Sequence, residues 1–407
     1  MHPDKNGVLV GLTYSADGRK IVAGQNRSGI VQVWDAPTGR QLNAIETGPG
    51  EPSIYDYFDL SPDGRSLYVL RSRTQSRYIK GKDKRLFHVD FSGSVRVWDA
   101  ETGKLRRDLQ PAPGCGIVST LLSPDGLTLL THENTSGDYE QLGEWKRVGT
   151  LWDTQTGKRR GVLPNNATPG AAFSPDSQTI LTSAVNDKSE AMSLLFLDAA
   201  SGKARRSVPI EQEHRRASYH VFSTDGKRVA CQLWNATTRE GLLRCWDVAS
   251  GRVTASFEGE KKDFFGQPVF SPDGRILAAT NVLEKKKKLY LIDATTGKLV
   301  NTVPLAEEGW RVRRPVFSPD GKWIAILSQT NPTNKHIYQV KPDDLPQPHI
   351  LVIEAATGQV RETIIAPPAI AISLCYSPDG KTLASGGDGR VLLWDMTNPP
   401  GTRTPAH

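Results

Sequence analysis

Cysteine is scarce in this chain: Cys115, Cys231, Cys245 and Cys375 are the only four in 407 residues. They form no Cys-x-x-Cys pair and have no histidine at metal-ligand spacing, which excludes a zinc ribbon and offers no disulfide framework. They read as free, mostly buried thiols. Long apolar runs are also missing, with nothing near the ~18 residues of a membrane-spanning helix. The opening MHPDKNGVLV has no basic segment followed by an apolar core. The expectation is a cytoplasmic protein without a membrane span. Charge of one sign is in short supply too: 51 Lys and Arg face 44 Asp and Glu, a net +7. Over this length that excess makes no whole-protein case for nucleic acid, which is the less favoured partner.

Catalytic motifs are lacking as well. No G-x-S-x-G, P-loop or G-x-G-x-x-G follows a strand and opens a helix, and His132-Glu133 has no second histidine to make a zinc-binding helix. A metal-dependent hydrolase on a β scaffold needs carboxylates or histidines converging from several inner strands. Only Asp56 and Asp59 stand on such a strand, and one repeat cannot build that cage. No catalytic residue, metal ligand or cofactor is assigned, and the reading is non-enzymatic.

What the chain has in quantity is turns. Glycine and proline number 37 and 27, against a hydrophobic content of 37% that is enough for a globular core and excludes global disorder. Eight Ser-x-Asp-Gly-type turns recur: Ser15 to Gly18, Ser61 to Gly64, Ser123 to Gly126, Ser174 to Ser177, Ser223 to Gly226, Ser271 to Gly274, Ser318 to Gly321 and Ser377 to Gly380. Proline sets φ at the second position, Ser and Asp bond nearby backbone, and Gly takes the left-handed position that reverses the chain. Each turn is followed by an apolar strand and a second anchor, an apolar residue plus an acid. These are Trp34-Asp35, Trp98-Asp99, Trp152-Asp153, Leu197-Asp198, Trp246-Asp247, Ile292-Asp293, Ile353-Glu354 and Trp394-Asp395, and five of the nine tryptophans fall at this position. A second turn of the Asp-x-x-Thr-Gly kind follows. Each repeat therefore predicts four short strands, a to d, in a meander.

A four-stranded meander recurring at this period corresponds to a β-propeller blade. With Ser-Pro-Asp-Gly between strands a and b and Trp-Asp ending strand c, the chain resembles the WD40-repeat family in its bacterial form, over nearly its whole length. The resemblance implies an all-β fold: a single propeller of eight blades, with seven as the alternative. It also implies a protein-interaction scaffold. The family's Gly-His pair is absent, and only the last repeat keeps Ser385, Asp388 and Trp394, so the His-Ser-Asp-Trp hydrogen-bond tetrad is expected in no blade. The repeats are bounded at about 8–46, 53–109, 115–163, 169–208, 217–257, 265–303, 312–364 and 369–395, with 396–407 as a disordered tail. Because MTNPPGTRTPAH makes a poor strand, the eighth blade is expected to lack its outer strand, or else an upstream segment of a longer protein completes it. Ser177, where seven repeats have Gly, is expected to be strained.

Turn serine and second anchor lie 19, 37, 29, 23, 23, 21, 35 and 17 residues apart in repeats one to eight, so insertions fall between strands b and c of repeats two, three and seven. They are read as loops that carry no core, on the face where binding resides. In repeat two, Arg71, Arg73, Arg77, Lys80, Lys82, Lys84 and Arg85 stand against Asp83 alone, with Tyr78 among them. Repeat six adds Lys285, Lys286, Lys287 and Lys288, and Trp310 beside Arg311 completes the candidate binding set. The partner implied is a protein, acidic in character. Two other functional classes stay open: a propeller enzyme or ligand sensor using the channel mouth, and a docking module of a larger bacterial polypeptide.

Overall fold

In the computed structural model the described residues are 9–406 apart from 26–28, 48–56, 81–84, 140–145, 165–166, 168–169, 186–191, 211–215, 236–237, 239, 260–263, 282–285, 307–309, 313, 331–347, 367–370, 388–389 and 398–404. Every assigned element among them is a β-strand. The first sheet is β1 (Leu9–Tyr14), β2 (Lys20–Gln25), β3 (Ile30–Asp35) and β4 (Gln41–Glu46). The second is β5 (Tyr57–Leu60), β6 (Ser66–Lys80), β7 (Arg85–Asp99) and β8 (Leu105–Leu109). The third is β9 (Cys115–Leu122), β10 (Thr128–Thr135), β12 (Arg147–Asp153) and β13 (Arg159–Val162), while the short β11 (Gly137–Tyr139) between them joins the second sheet. The fourth and fifth are β14 (Ala172–Phe173), β15 (Thr179–Val185), β16 (Met192–Asp198), β17 (Ala204–Pro209), then β18 (Arg216–Phe222), β19 (Arg228–Asn235), β20 (Glu240–Asp247) and β21 (Val253–Glu258). The sixth is β22 (Val269–Phe270), β23 (Ile276–Thr280), β24 (Lys287–Asp293) and β25 (Leu299–Ala306). In the seventh, strand a is split into β26 (Trp310–Val312) and β27 (Val316–Phe317), both paired with β28 (Trp323–Thr330), which continues to β29 (Pro348–Glu354) and β30 (Val360–Ile365). The eighth is β31 (Ala371–Tyr376), β32 (Thr382–Gly387), β33 (Arg390–Asp395) and β34 (Pro405–Ala406).

Eight antiparallel meanders make an all-β propeller, each sheet a blade. The chain divides into two compact units. One is Met1–Ala167 with Ser177–Ile180 and Leu197–Arg205; the other is Thr168–Asp176 with Leu181–Phe196 and Arg206–His407.

The turns form as their chemistry dictates. In the first, Ser15 Oγ donates to Asp17 Oδ1 at 2.6 Å and accepts the Lys20 N–H at 2.9 Å, while the Gly18 N–H closes the turn on the Ser15 carbonyl at φ 70°. The same bonds recur from Ser61, Ser123, Ser223, Ser271, Ser318 and Ser377. At the c–d turns the anchor acid accepts backbone N–H groups two or three residues on, as Asp99 does from Thr102 at 2.7 Å. In four repeats an arginine seven residues later closes on the same acid: Arg106 on Asp99, Arg160 on Asp153, Arg205 on Asp198 and Arg361 on Glu354. These bonds hold the Asp153 and Asp198 carboxyls down at about 2 and push Asp99 lower still.

Apolar residues that alternate along each strand fill the layers between sheets. Trp98 packs with Val22, Val33 and Ile45 of the preceding blade, and Trp152 with Leu70, Val95 and Leu109. In the second unit Trp246, Ile292, Ile353 and Trp394 do the same for blades five to eight. In these six repeats the second anchor is thus the plug between its own sheet and the one before, where burial of a large apolar side chain contributes about 1.5–3 kcal/mol.

Two expectations are corrected. The eighth blade has a fourth strand, because β34 pairs Pro405 with Trp394 and Ala406 with Leu393; proline fits there since an outermost strand leaves one edge with nothing to donate to. The tail is not without order from 396: the Met396 N–H bonds the Lys381 carbonyl at 2.8 Å and the side chain packs on the last core. Where the last repeat keeps family residues, Trp394 Nε1–H donates to Ser385 Oγ at 3.0 Å, and in the third repeat Trp152 Nε1–H donates to Thr131 Oγ1 at 2.9 Å. Asp388 lies outside the described residues. Ser177 does take the left-handed conformation, at φ 60°.

Candidate functional site

The insertion of repeat two is not a loop. β6 and β7 are 15 residues each and pair without a break from Ser66↔Asp99 to Lys80↔Arg85. The blade proper ends where β5 stops, at Tyr57↔Leu70. Beyond it runs a two-stranded arm of ten further residues on β6, about 33 Å at the rise of an extended strand. The residues favour this. Ser72, Thr74, Ser76 and Tyr78 alternate with Arg71, Arg73, Gln75 and Arg77, and Phe87, Val89 and Phe91 alternate with His88 and Asp90, the period of a strand with two unlike faces.

One arm face is seated on the third blade. Val89 and Phe91 are 1% and 6% exposed and Ser72 is 8%. Ser136 Oγ accepts the Phe91 N–H at 2.8 Å and donates to its carbonyl at 3.2 Å. Gly93 and Gly116 permit the approach: a Cβ on Gly93 would stand 2.4 Å from the Ile117 carbonyl, and one on Gly116 2.6 Å from the Phe91 backbone. The insertion of repeat three supplies β11, which adds to β7 through Gly137↔Val89, Asp138↔His88 and Tyr139↔Phe87. The expectation of core-free loops is therefore wrong for the arm's base, because period-two alternation lets a ribbon bury one face while the other stays wet.

The other face is polar. Cross-strand pairing puts Arg71 with Ser94, Arg73 with Ser92, Gln75 with Asp90 and Arg77 with His88, and then His88 with Asp138. Arg73, Gln75 and Arg77 are exposed, and Arg71 is half-buried with its guanidinium donating to the Thr47 carbonyl at 3.4 Å. The Gln75 side-chain oxygen accepts from the Arg73 guanidinium. His88 lies between two carboxylates, Nδ1 at 2.5 Å from Asp138 and Nε2 at 3.1 Å from Asp90. Asp138 first, then Asp90, raises its pKa. The arm thus carries a gradient across its width, basic along β6 and with its acids, Asp90 of β7 and Asp138 of β11, flanking His88. A count over residues 71–85 could not contain Asp90 and Asp138.

Tyr78 is 73% exposed and packs on Phe87 with ring centroids 4.5 Å apart and the planes tilted by 45°. Lys80 and Arg85 are the last paired residues of the arm; Lys82 and Lys84 lie outside the described residues. The lysine run of repeat six belongs to the second compact unit. Lys285 is outside the described residues, Lys286 is exposed, and Lys287 and Lys288 are half-buried on β24, where successive side chains point to opposite faces. Asn281 pins this connection by accepting the Lys288 N–H at 2.8 Å and donating to the Lys286 carbonyl at 3.0 Å. Trp310 and Arg311 pair by backbone with Thr330 and Gln329 on β28. The insertion of repeat seven at 331–347 lies outside the described residues.

The remaining titratable groups serve the core. His132 Nδ1 is 3.0 Å from Ser119 Oγ, and burial pushes its pKa down to about 4. Glu133, 1% exposed, accepts the Ala112 N–H at 2.9 Å and lies 3.6 Å from Arg159, so it ties the linker between blades two and three to the third sheet. His220 Nδ1 meets the Gly170 carbonyl at 2.7 Å and is also held near 4 by burial; it follows Tyr219, which takes φ 59° where the β18–β19 register shifts. Asp59 accepts a hydrogen bond from the Leu122 N–H, and burial raises its carboxyl to about 6. Asp56 lies outside the described residues. Among the described residues all four cysteines are free, and burial pushes the Cys245 thiol up to about 12. No helix in the described chain is long and apolar enough to cross a membrane.

The WD domain, G-beta repeat profile matches residues 363–395, the last repeat. No curated protein matches the chain. Among solved structures, a crystal structure of a eukaryotic initiation factor is similar at 13% identity and TM-score 0.58, covering 100% of this chain and 90% of that one. Hydrazine synthase of Kuenenia stuttgartiensis is similar at 17% identity and TM-score 0.53, covering 98% and 97%. At these identities the likeness is one of fold.

Proposed function

Since this chain is a β-propeller with WD40-type repeats, we propose that it is a non-enzymatic interaction scaffold whose arm binds an acidic protein partner. One observation carries the reading: a ribbon extended well beyond its blade, seated by one face on the third blade, presents Arg73, Arg77 and Tyr78 to solvent on a rigid base. Segments that serve only to connect strands are short, whereas an arm this long with an ordered charged edge has the form of a recognition element. Charge of this kind speeds and orients association and weakens with salt. A docking role within a larger polypeptide is compatible with it.

The test compares two charge-reversed proteins in partner capture followed by mass spectrometry. Changing Arg73, Arg77, Lys82 and Lys84 to Glu is expected to weaken capture at low salt by well over tenfold, a loss of about 1.4 kcal/mol or more. Arg71 is left in place because it bonds the Thr47 carbonyl. Changing Arg65, Arg275 and Lys381, exposed beside the Ser-Pro-Asp-Gly turns, is expected to leave capture unchanged. Loss of capture in the second protein but not the first overturns the assignment.

A further inference from the structure

We propose that the exposed edge of β6 from Thr74 to Tyr78 takes an acidic peptide as an added strand, so that the partner extends the second sheet by one more member. The inference rests on the arm being the binding surface and specifies how it binds. Among the described residues no strand pairs with β6 beyond Leu70 on the side away from β7. An extended strand edge offers main-chain donors and acceptors to an incoming chain, and natural sheets usually shorten or cover such edges. Here the edge is kept long, and its residues from Arg73 to Tyr78 are exposed.

The chain performs the same operation on the arm's opposite edge. β11 is a three-residue strand added to β7, and the acid at its centre, Asp138, is placed beside His88. A short acidic segment thus docks by strand addition where a basic side chain stands at the cross-strand position. Arg77 is the cross-strand neighbour of His88, and Arg73 lies four residues before it on the same face, with Gln75 between. An added strand carrying acids at its first and fifth positions spans that distance, about 13 Å. Its alternate residues fall on the other face, beside Thr74, Ser76 and the Tyr78 ring that packs on Phe87. β-Branched residues suit those positions. The gradient across the arm gives the choice of edge: an acidic strand is attracted along β6 and repelled along β11 by Asp138 and Asp90.

The probe is a fluorescein-labelled nine-residue peptide alternating glutamate and valine, tested on the full chain at low salt. It is compared with an isomer holding its glutamates in one block and with a version N-methylated at every second backbone nitrogen. The alternating peptide is expected to bind at least tenfold more tightly than either control and to protect from hydrogen exchange those alternate amides between Thr74 and Tyr78 that face away from β7. R73Q/R77Q, which keeps hydrogen-bonding side chains, is expected to reduce binding tenfold with an unchanged circular dichroism spectrum. Equal binding of the N-methylated peptide overturns strand addition but leaves the arm as an acid-binding surface. Failure of every acidic peptide to bind the folded chain overturns both. Protection confined to β11, or Thr74 to Tyr78 amides already fully protected in the free chain, overturns the assignment of the edge.

Discussion

Ser177 shows how a residue can be strained and useful at once. At φ 60° it carries the cost that the other repeats avoid with Gly, but its Oγ accepts the Asp125 N–H of the preceding turn at 3.0 Å. Glycine would relieve about 0.5–1 kcal/mol of strain and forfeit a hydrogen bond of similar worth. S177G is therefore expected within about 0.5 kcal/mol of the parent, while S177A, which keeps the strain and loses the bond, is expected to cost about 1 kcal/mol in urea denaturation. An S177A midpoint equal to the parent's would mean that the bond contributes nothing, and equal midpoints for S177A and S177G would mean that the strain does not. Buried titratable groups act with opposite signs. His132 and His220 are held near 4, below the 6.5 of an exposed histidine, so the unfolded chain takes up their protons first. Their contribution is complete above pH 6.5 and is lost as pH falls toward 4, at most about 3 kcal/mol each. Asp59, raised to about 6, favours the unfolded chain as pH rises from about 4 to 6. Asp59→Asn is expected to raise the melting temperature at pH 7.5, by about 1 kcal/mol in stability, and to change nothing at pH 4. A gain at pH 4 equal to that at pH 7.5 would contradict the charge as the cause.

Among the elements, the arm depends on two glycines more than on its arginines. Gly93 lets β7 pass over β9, and a methyl group there would meet both the Ile117 and Arg71 carbonyls, at 2.4 and 2.9 Å. Backbone oxygens cannot swing aside as a side chain can. Gly93→Ala is expected to cost about 1–3 kcal/mol and to speed hydrogen exchange at Val89 and Phe91 before the blade itself loosens. Unchanged exchange there would mean that the arm is held by β11 alone. The c–d turns show a smaller device in the arginine seven residues beyond the anchor acid. It is exposed in each case and adds order more than stability, since exposed ion pairs contribute about 0–1 kcal/mol.

At the scale of the molecule, stability within each compact unit is spread over nearest-neighbour layers, six of which are plugged by one anchor. Solenoid-like arrangements of this kind fail first where a layer is thin. The eighth sheet is the thin one: its outer strand holds on by two residue pairs, Leu393↔Ala406 and Trp394↔Pro405, whereas β24 and β25 share six. Amide exchange is expected to be faster in β33 than in β24. Truncation after Asn398 is expected to speed it further, with little effect on the third blade. Protection in β33 equal to that in β24 would place the weak point elsewhere.

Blade count and anchor positions were legible in the residues because turn chemistry is local: Ser, Asp and Gly within four positions set the reversal, and a strand's period of two needs no knowledge of what it faces. The position of each anchor as a plug between sheets follows from the same repeat. The arm was not legible as a ribbon. Its alternating residues pair with Phe87, Val89 and Phe91 between nine and seventeen residues on, and a window centred on the basic run sees charge without its partner strand. The addition of β11 from the next repeat, and with it the placing of Asp138 beside His88, was decided by tertiary structure alone, because cross-strand neighbours drawn from different repeats have no sequence spacing in common. The same holds for the fourth strand of the last blade: two residue pairs on an open edge are too few to impose a pattern, and only the neighbouring strand determines that proline can sit there.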